Sequence, residues 1–203
     1  EALTLENEIL KGEGELVMNG EAKKGVLYYS TNVKNEDQKK IFNGLAVSSY
    51  SNTDKVEVIQ SPALDRDIPL NVKYQYSLGN KVSRFENDLY IDIDWNKAFQ
   101  DLSMEEDRAT DYYFQRKVKT RTVKKLKLPA GYSVTHLPSD MSKVFDDFTF
   151  DVKFRQIDNE IHYQNEIVVP GGIVKKNRFG VWNECIKELK QIYNDQIVIT
   201  RKQ

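Results

Sequence analysis

With a single cysteine, two histidines and three methionines among 203 residues, the chain has little of the chemistry that sulfur and imidazole supply. The lone thiol, Cys185, has no partner for an internal disulfide, which fits a reducing cytosol and a bacterial periplasm equally. His136 and His162 both fall on stretches that read as strands, so neither a metal cage nor an obvious general base is visible, and no cofactor is expected. No apolar run approaches the roughly 20 residues that a membrane-crossing helix needs, so membrane insertion is not expected either. Charge of one sign is missing too. The 30 basic and 31 acidic residues nearly cancel, which leaves no long-range field to gather nucleic acid or an anionic surface. The opening Glu1-Ala2-Leu3-Thr4 has neither an initiating methionine nor a signal-peptide pattern, and the chain reads as a mature form or an excised piece.

What the chain has in quantity is alternation. At 39% hydrophobic residues it can pack a core, and strand signals dominate. Phe148, Phe150, Val152 and Phe154 alternate with polar residues, Asp158-Asn159 marks a turn, and Ile161, Tyr163, Ile167 and Val169 resume at even spacing, predicting a long antiparallel hairpin. Pro170-Gly171-Gly172 ends it. Phe179, Trp182, Ile186, Leu189 and Tyr193 then recur at steps of three and four, predicting an amphipathic helix near 178–194 with Cys185 beside its buried stripe, and Ile197-Val198-Ile199 closes as a strand.

The first part of the chain repeats that β-β-α-β order. A hairpin is expected around Glu6 to Tyr29 with glycine turns at Gly12, Gly14, Gly20 and Gly25, then a helix near 36–46 capped by Asn35 with Gln38 reaching back, then a strand from Val56 to Ile59. Between the halves, Val72, Tyr74, Tyr76 and Leu78 alternate, Gly79-Asn80 turns, and Leu89, Ile91, Ile93 and Trp95 alternate on an expected return strand. The charged stretch Met104-Glu105-Glu106-Asp107-Arg108 reads as the segment between lobes.

Four groups of residues invite a chemical reading, and each has a structural one that the spacing favours. Asp88, Asp92 and Asp94 form an acidic row, but their alternation with apolar residues places them on a wet strand face and not on a calcium loop. The basic run Arg116, Lys117, Lys119, Arg121, Lys124, Lys125 and Lys127 lacks the interleaved aromatics of a nucleic-acid groove, and Lys117, Lys119 and Arg121 share a face from which they can pair with acidic neighbours such as the aspartate row or protect a strand edge against aggregation. Cys185 with His136 and His162 has the residue types of a thiol-hydrolase triad, but the cysteine is mid-helix, His162 points to solvent and His136 shares the core-facing side of Tyr132 and Val134. Tyr28-Tyr29, Tyr112-Tyr113-Phe114 and Tyr90 raise carbohydrate binding, although on strands neighbouring rings point to opposite faces. No catalytic, cofactor-binding or metal-binding residue is assigned.

The string Leu126-Lys127-Leu128-Pro129-Ala130-Gly131-Tyr132-Ser133-Val134-Thr135-His136-Leu137-Pro138, together with the ending from Phe179 to Lys202, resembles the C-terminal region of large bacterial transglutaminase-like proteins. The Gly12 to Gly25 stretch and Ile68-Pro69-Leu70-Asn71-Val72 look like the segment that follows the core in that family. There a β-rich N-terminal domain precedes a papain-like transglutaminase core, and a β-rich domain of unknown function closes the chain. The resemblance implies export to the periplasm or cell surface and a non-catalytic role beside an upstream transglutaminase-like domain. No catalytic residue carries over, because the core's order is cysteine, histidine, aspartate, whereas both histidines here precede Cys185.

The expected architecture is α+β and mainly antiparallel β, with two β-sandwich-like lobes, 1–106 and 107–203, each covered by one amphipathic helix. The expected role is an accessory domain, not an enzyme, that packs on or presents substrate to a transglutaminase-like domain of the same polypeptide. The alternative is an independent module at the cell surface that binds a glycan or a protein.

Overall fold

Asn7 and Glu8 make the first turn of the chain, and their φ of 49° and 64° give the mirror-image geometry that suits a two-residue hairpin. In the computed structural model, which describes residues 1–47, 54–60, 64–114 and 116–202, the chain divides into two compact units, Glu1–Val82 and Ser83–Gln203. The class is α+β with mostly antiparallel sheets, as the alternation predicts.

The first unit contains β1 (Ala2–Glu6), β2 (Ile9–Met18), α1 (Gly20–Thr31), α2 (Asn35–Ala46), β3 (Lys55–Gln60) and β4 (Leu70–Leu78). Its strands run antiparallel in the order β1-β2-β4-β3. The buried face carries Leu3, Leu10, Leu70, Val72, Tyr74, Tyr76 and Leu78. Gly12 and Gly14 are interior to β2 and make no turn; the Tyr76 and Tyr74 rings occupy the space their side chains would fill. Those two phenols donate to the two oxygens of Glu1, at 2.7 and 2.6 Å.

The expected hairpin to Tyr29 stops at Met18, and Gly20 to Gly25 open helix α1 instead. This helix is anchored by polar groups. Buried Lys23 donates to the carbonyls of Ile68, at 2.6 Å, and Arg66, while Ser30 Oγ donates back to Val26 O. The first unit thus carries two helices where one was expected. Helix α2 follows the prediction in position, but Lys34 precedes it and no side chain caps it; Gln38 Nε2 donates to Ser30 O at 2.9 Å and ties the two helices together. With two helices, and with β3 in the same sheet as its hairpin, the first unit does not repeat the layout of the second.

The second unit begins at Ser83, within β5 (Val82–Phe85), and continues with β6 (Asp88–Ile91), β7 (Tyr112–Tyr113), β8 (Val118–Lys127), β9 (Tyr132–His136), β10 (Met141–Val144), β11 (Thr149–Ile157), β12 (Glu160–Val169), β13 (Ile173–Val174), a 3-10 turn (Lys176–Arg178), α3 (Phe179–Asn194) and β14 (Ile197–Arg201). One set of antiparallel strands runs β10-β11-β12-β8, a second sheet runs β5-β6-β14-β9, and β13-β7 is a short ribbon. The β11–β12 hairpin turns at Asp158, φ 52°, and α3 spans the predicted residues. Trp182 of α3 meets Phe148 and Phe150 edge-on with ring centres at 5.2 and 5.1 Å, so the helix covers the apolar face of that hairpin.

Two expectations between the lobes fail for long-range reasons. Strand β4 is already flanked by β2 and β3, and β6 pairs with β14 over a hundred residues later, so the return-strand hairpin does not form. The charged stretch near 106 lies inside the second unit, because Asn183 and Trp182 of α3 hold the backbone of Met104 and Leu102.

Candidate functional site

The reactive side chains are tied into the architecture. Cys185 is a free thiol, buried in the middle of α3. Burial pushes its pKa up, and Lys143 opposes this only in part while Glu188 and Glu184 add to it, so the thiolate is disfavoured. His136, expected on the core side, is instead exposed and bonds both oxygens of Asp195 at 2.9 and 3.0 Å. The reason is an irregularity in the β9–β14 register. Val198 pairs with His136 and Ile199 with Val134, so Thr135 is an extra residue that shifts the alternation. His162 lies on the solvent side as predicted and bonds Glu160 at 3.0 Å. Among the described residues, neither histidine bonds Cys185, and no three His, Cys, Asp or Glu side chains gather as metal ligands.

The aspartate row comes apart. Strand β6 ends at Ile91, Asp88 accepts from Thr200 Oγ1 at 2.6 Å, and Asp92 pairs with Lys97 at 3.6 Å. Asp94 is buried; it accepts from the Tyr163 hydroxyl and from Asn165 Nδ2 at 3.2 Å, while Asn165 also donates to the Tyr193 hydroxyl, which donates to Ala98 O at 2.9 Å. Burial, joined by the Asp94 charge, pushes the Tyr163 phenol well above the ordinary tyrosine range, and Tyr193 shifts the same way.

Nor is the basic run one surface. Lys124 is fully buried with its Nζ 3.1 Å from the centre of the Trp95 ring. It shares the strand face of Leu126, a period-two relation that the sequence already contains. Lys119 pairs with Glu166 at 3.0 Å, not with the aspartates, because β12 is the neighbour of β8. Tyr28 and Tyr29 are on a helix and not a strand, both exposed, with rings edge-on at 5.5 Å.

Among the described residues, two concavities stand out. In the first unit, a cleft of about 540 Å³ lies on the wet side of the sheet, with Lys11 and Lys55 flanking Ser77 and with Glu13 and Glu57 flanking Gln75. Lys11 is paired with Glu6 and Glu57 with Lys39, as on an ordinary solvated face. In the second unit, residues 96–102 and Phe114 line an open pocket of about 550 Å³. Helix α3 fixes this loop from beneath: Tyr193 donates to Ala98 O, Trp182 Nε1 donates to Leu102 O at 2.7 Å, and Lys190 pairs with Asp101 at 3.1 Å. Lys97 and Phe99 both have positive φ, 42° and 68°, a strained state for a bulky residue. The Phe99 ring is half-exposed and lies 6.0 Å from Phe114 and 6.3 Å from Trp182. Sequence reasoning marked Phe114 but missed the loop, whose only local signal is a loss of periodicity.

Residues 87–199, more than half of the chain and including this loop, match the family model of a domain of unknown function with a solved structure, DUF3858. No curated protein and no solved structure matches the chain.

Proposed function

Since the chain belongs to the DUF3858 family, a domain of unknown function, we propose that it is a non-catalytic accessory module that packs on, or presents substrate to, a transglutaminase-like domain of the same exported bacterial polypeptide. The observation that carries this reading is the state of Cys185. The chain's one thiol is sealed mid-helix with its ionisation disfavoured, which supports a reading in which thiol chemistry is supplied by another domain. Of the stretches that resemble transglutaminase-like proteins, 126–138 and 179–202 contribute to β8, β9, α3 and β14 within the second unit, and the other two fall in β2, α1 and β4 of the first. Among the described residues no helix is long and apolar enough to cross a membrane.

The full reading frame tests the proposal. A Cys, His, Asp core encoded ahead of Glu1 behind an export signal is the expected result, with the core's amide or amine-transfer activity toward protein substrates falling when residues 1–203 are deleted. A frame without such a core overturns the reading.

A second reading, a glycan- or protein-binding module, is favoured by the rigid loop around Phe99.

A further inference from the structure

We infer that the pocket formed by residues 96–102 and Phe114 is a saccharide site, with the half-exposed Phe99 ring as the platform on which an uncharged pyranose stacks. This inference rests on the second reading above and is independent of any transglutaminase-like partner. Four properties of the loop converge on it.

The first is size. At about 550 Å³ the open pocket is in the range that holds a small ligand. The second is charge. Both ionised side chains of the lining already have opposite partners, Lys97 with Asp92 and Asp101 with Lys190, so the pocket is electrically balanced and offers nothing to a phosphate or a charged peptide. The third is the donor and acceptor set. Gln100 brings to the aromatic surface an amide able to donate and accept, which matches the hydroxyls of a sugar better than an apolar ligand.

The fourth is preorganisation. Positive φ at Lys97 and Phe99 costs free energy that the anchors from Trp182, Tyr193 and Lys190 offset, and the Phe99 ring is held against Phe114 and Trp182. A ring fixed before binding loses little rotamer freedom on contact. The C–H faces of a pyranose complement the negative face of such a ring, and that contact is tolerant of linkage, so recognition depends on shape and hydroxyl pattern.

The test is a titration of the isotope-labelled 203-residue chain with cellohexaose, chitohexaose and maltohexaose, followed by backbone amide shifts. Saturable shifts confined to residues 96–102 and 114 with at least one of the three are the expected result. Phe99→Gly keeps the left-handed backbone accessible while removing the platform, and should weaken binding about tenfold, with unaltered amide shifts outside the loop showing that the variant is folded. Gln100→Ala, at a half-buried amide that lines the pocket, should weaken it by a smaller factor. Absence of shifts with all three sugars at millimolar concentration overturns the inference, as does binding that survives Phe99→Gly. A proline-rich peptide that shifts these amides when no sugar does would assign the ring to peptide recognition instead. Because the chain is assayed alone, a negative result leaves the accessory role to be decided by the reading frame.

Discussion

Asn183 holds the backbone of Met104 from both sides: its Oδ1 accepts from the Met104 N–H at 2.7 Å and its Nδ2 donates to the Met104 carbonyl at 2.8 Å. A single side-chain amide thus does for this irregular segment what a neighbouring strand does for a regular one. Removing it leaves two backbone groups without partners beside buried Met104. Asn183→Ala is expected to destabilise the second unit by about 2 kcal/mol in urea unfolding. Asn183→Asp keeps the acceptor and loses the donor, and should fall between the two.

Trp182 is the centre of the aromatic packing, touching Phe148, Phe150, Phe99 and Phe114, and it also donates to Leu102 O. Trp182→Ala should cost about 3 to 5 kcal/mol as a cavity-forming change. Trp182→Phe keeps much of the packing but leaves the Leu102 carbonyl unbonded, and should cost about 1 to 3 kcal/mol. An unchanged melting temperature for Trp182→Ala would contradict the packing of α3 on the β11–β12 hairpin.

Much of this architecture was legible in the residues, and the failures have physical causes. The β11–β12 hairpin and helix α3 were readable because one apolar face decides each, at period two and period 3.6. Helix α1 was not, because its buried contacts are Lys23 and Ser30, polar groups that a search for apolar periodicity passes over. His136 was misplaced by one extra residue at Thr135, and a shift of one reverses every face along a strand. The partner of β6 lies in β14, a pairing that no local pattern encodes. For the pocket, Phe114 was visible as an aromatic, but the strained loop that completes the site is defined by its anchors on α3, not by its own sequence.

Gly172 and Gly131 both have positive φ, 65° and 79°, but differ in their surroundings. A Cβ at Gly172 would lie 2.3 Å from Arg116 O, whereas one at Gly131 meets nothing within 4 Å. Gly131→Ala should cost about 1 kcal/mol, the backbone penalty alone. Gly172→Ala must add backbone displacement on the β13 side of the ribbon and should cost about 3 kcal/mol. Differential scanning of the two variants distinguishes crowding from conformation.

The phenols of Tyr74, Tyr76, Tyr163 and Tyr193 are all pushed up, by burial first and then by the charge of Glu1 or Asp94. A raised phenol binds its proton more tightly folded than unfolded. Its stabilisation is therefore complete below the ordinary tyrosine value near 10 and is lost as pH rises through and beyond it. With two such phenols in each unit, stability should fall by about 2.7 kcal/mol per pH unit above that value. Denaturant midpoints measured from pH 8 upward check this, and Tyr163→Phe should about halve the slope for the second unit. A flat profile through pH 11 would contradict the burial of these rings.

Covalent labelling of Cys185 decides most directly whether this chain supplies structure and binding or its own nucleophile. Iodoacetamide at neutral pH, followed by intact mass, should leave the native chain unmodified while labelling it completely in guanidinium, because burial disfavours the thiolate. Rapid stoichiometric labelling of the native chain, slowed by replacing His136 or His162, would reveal an activated thiol and contradict the non-catalytic role.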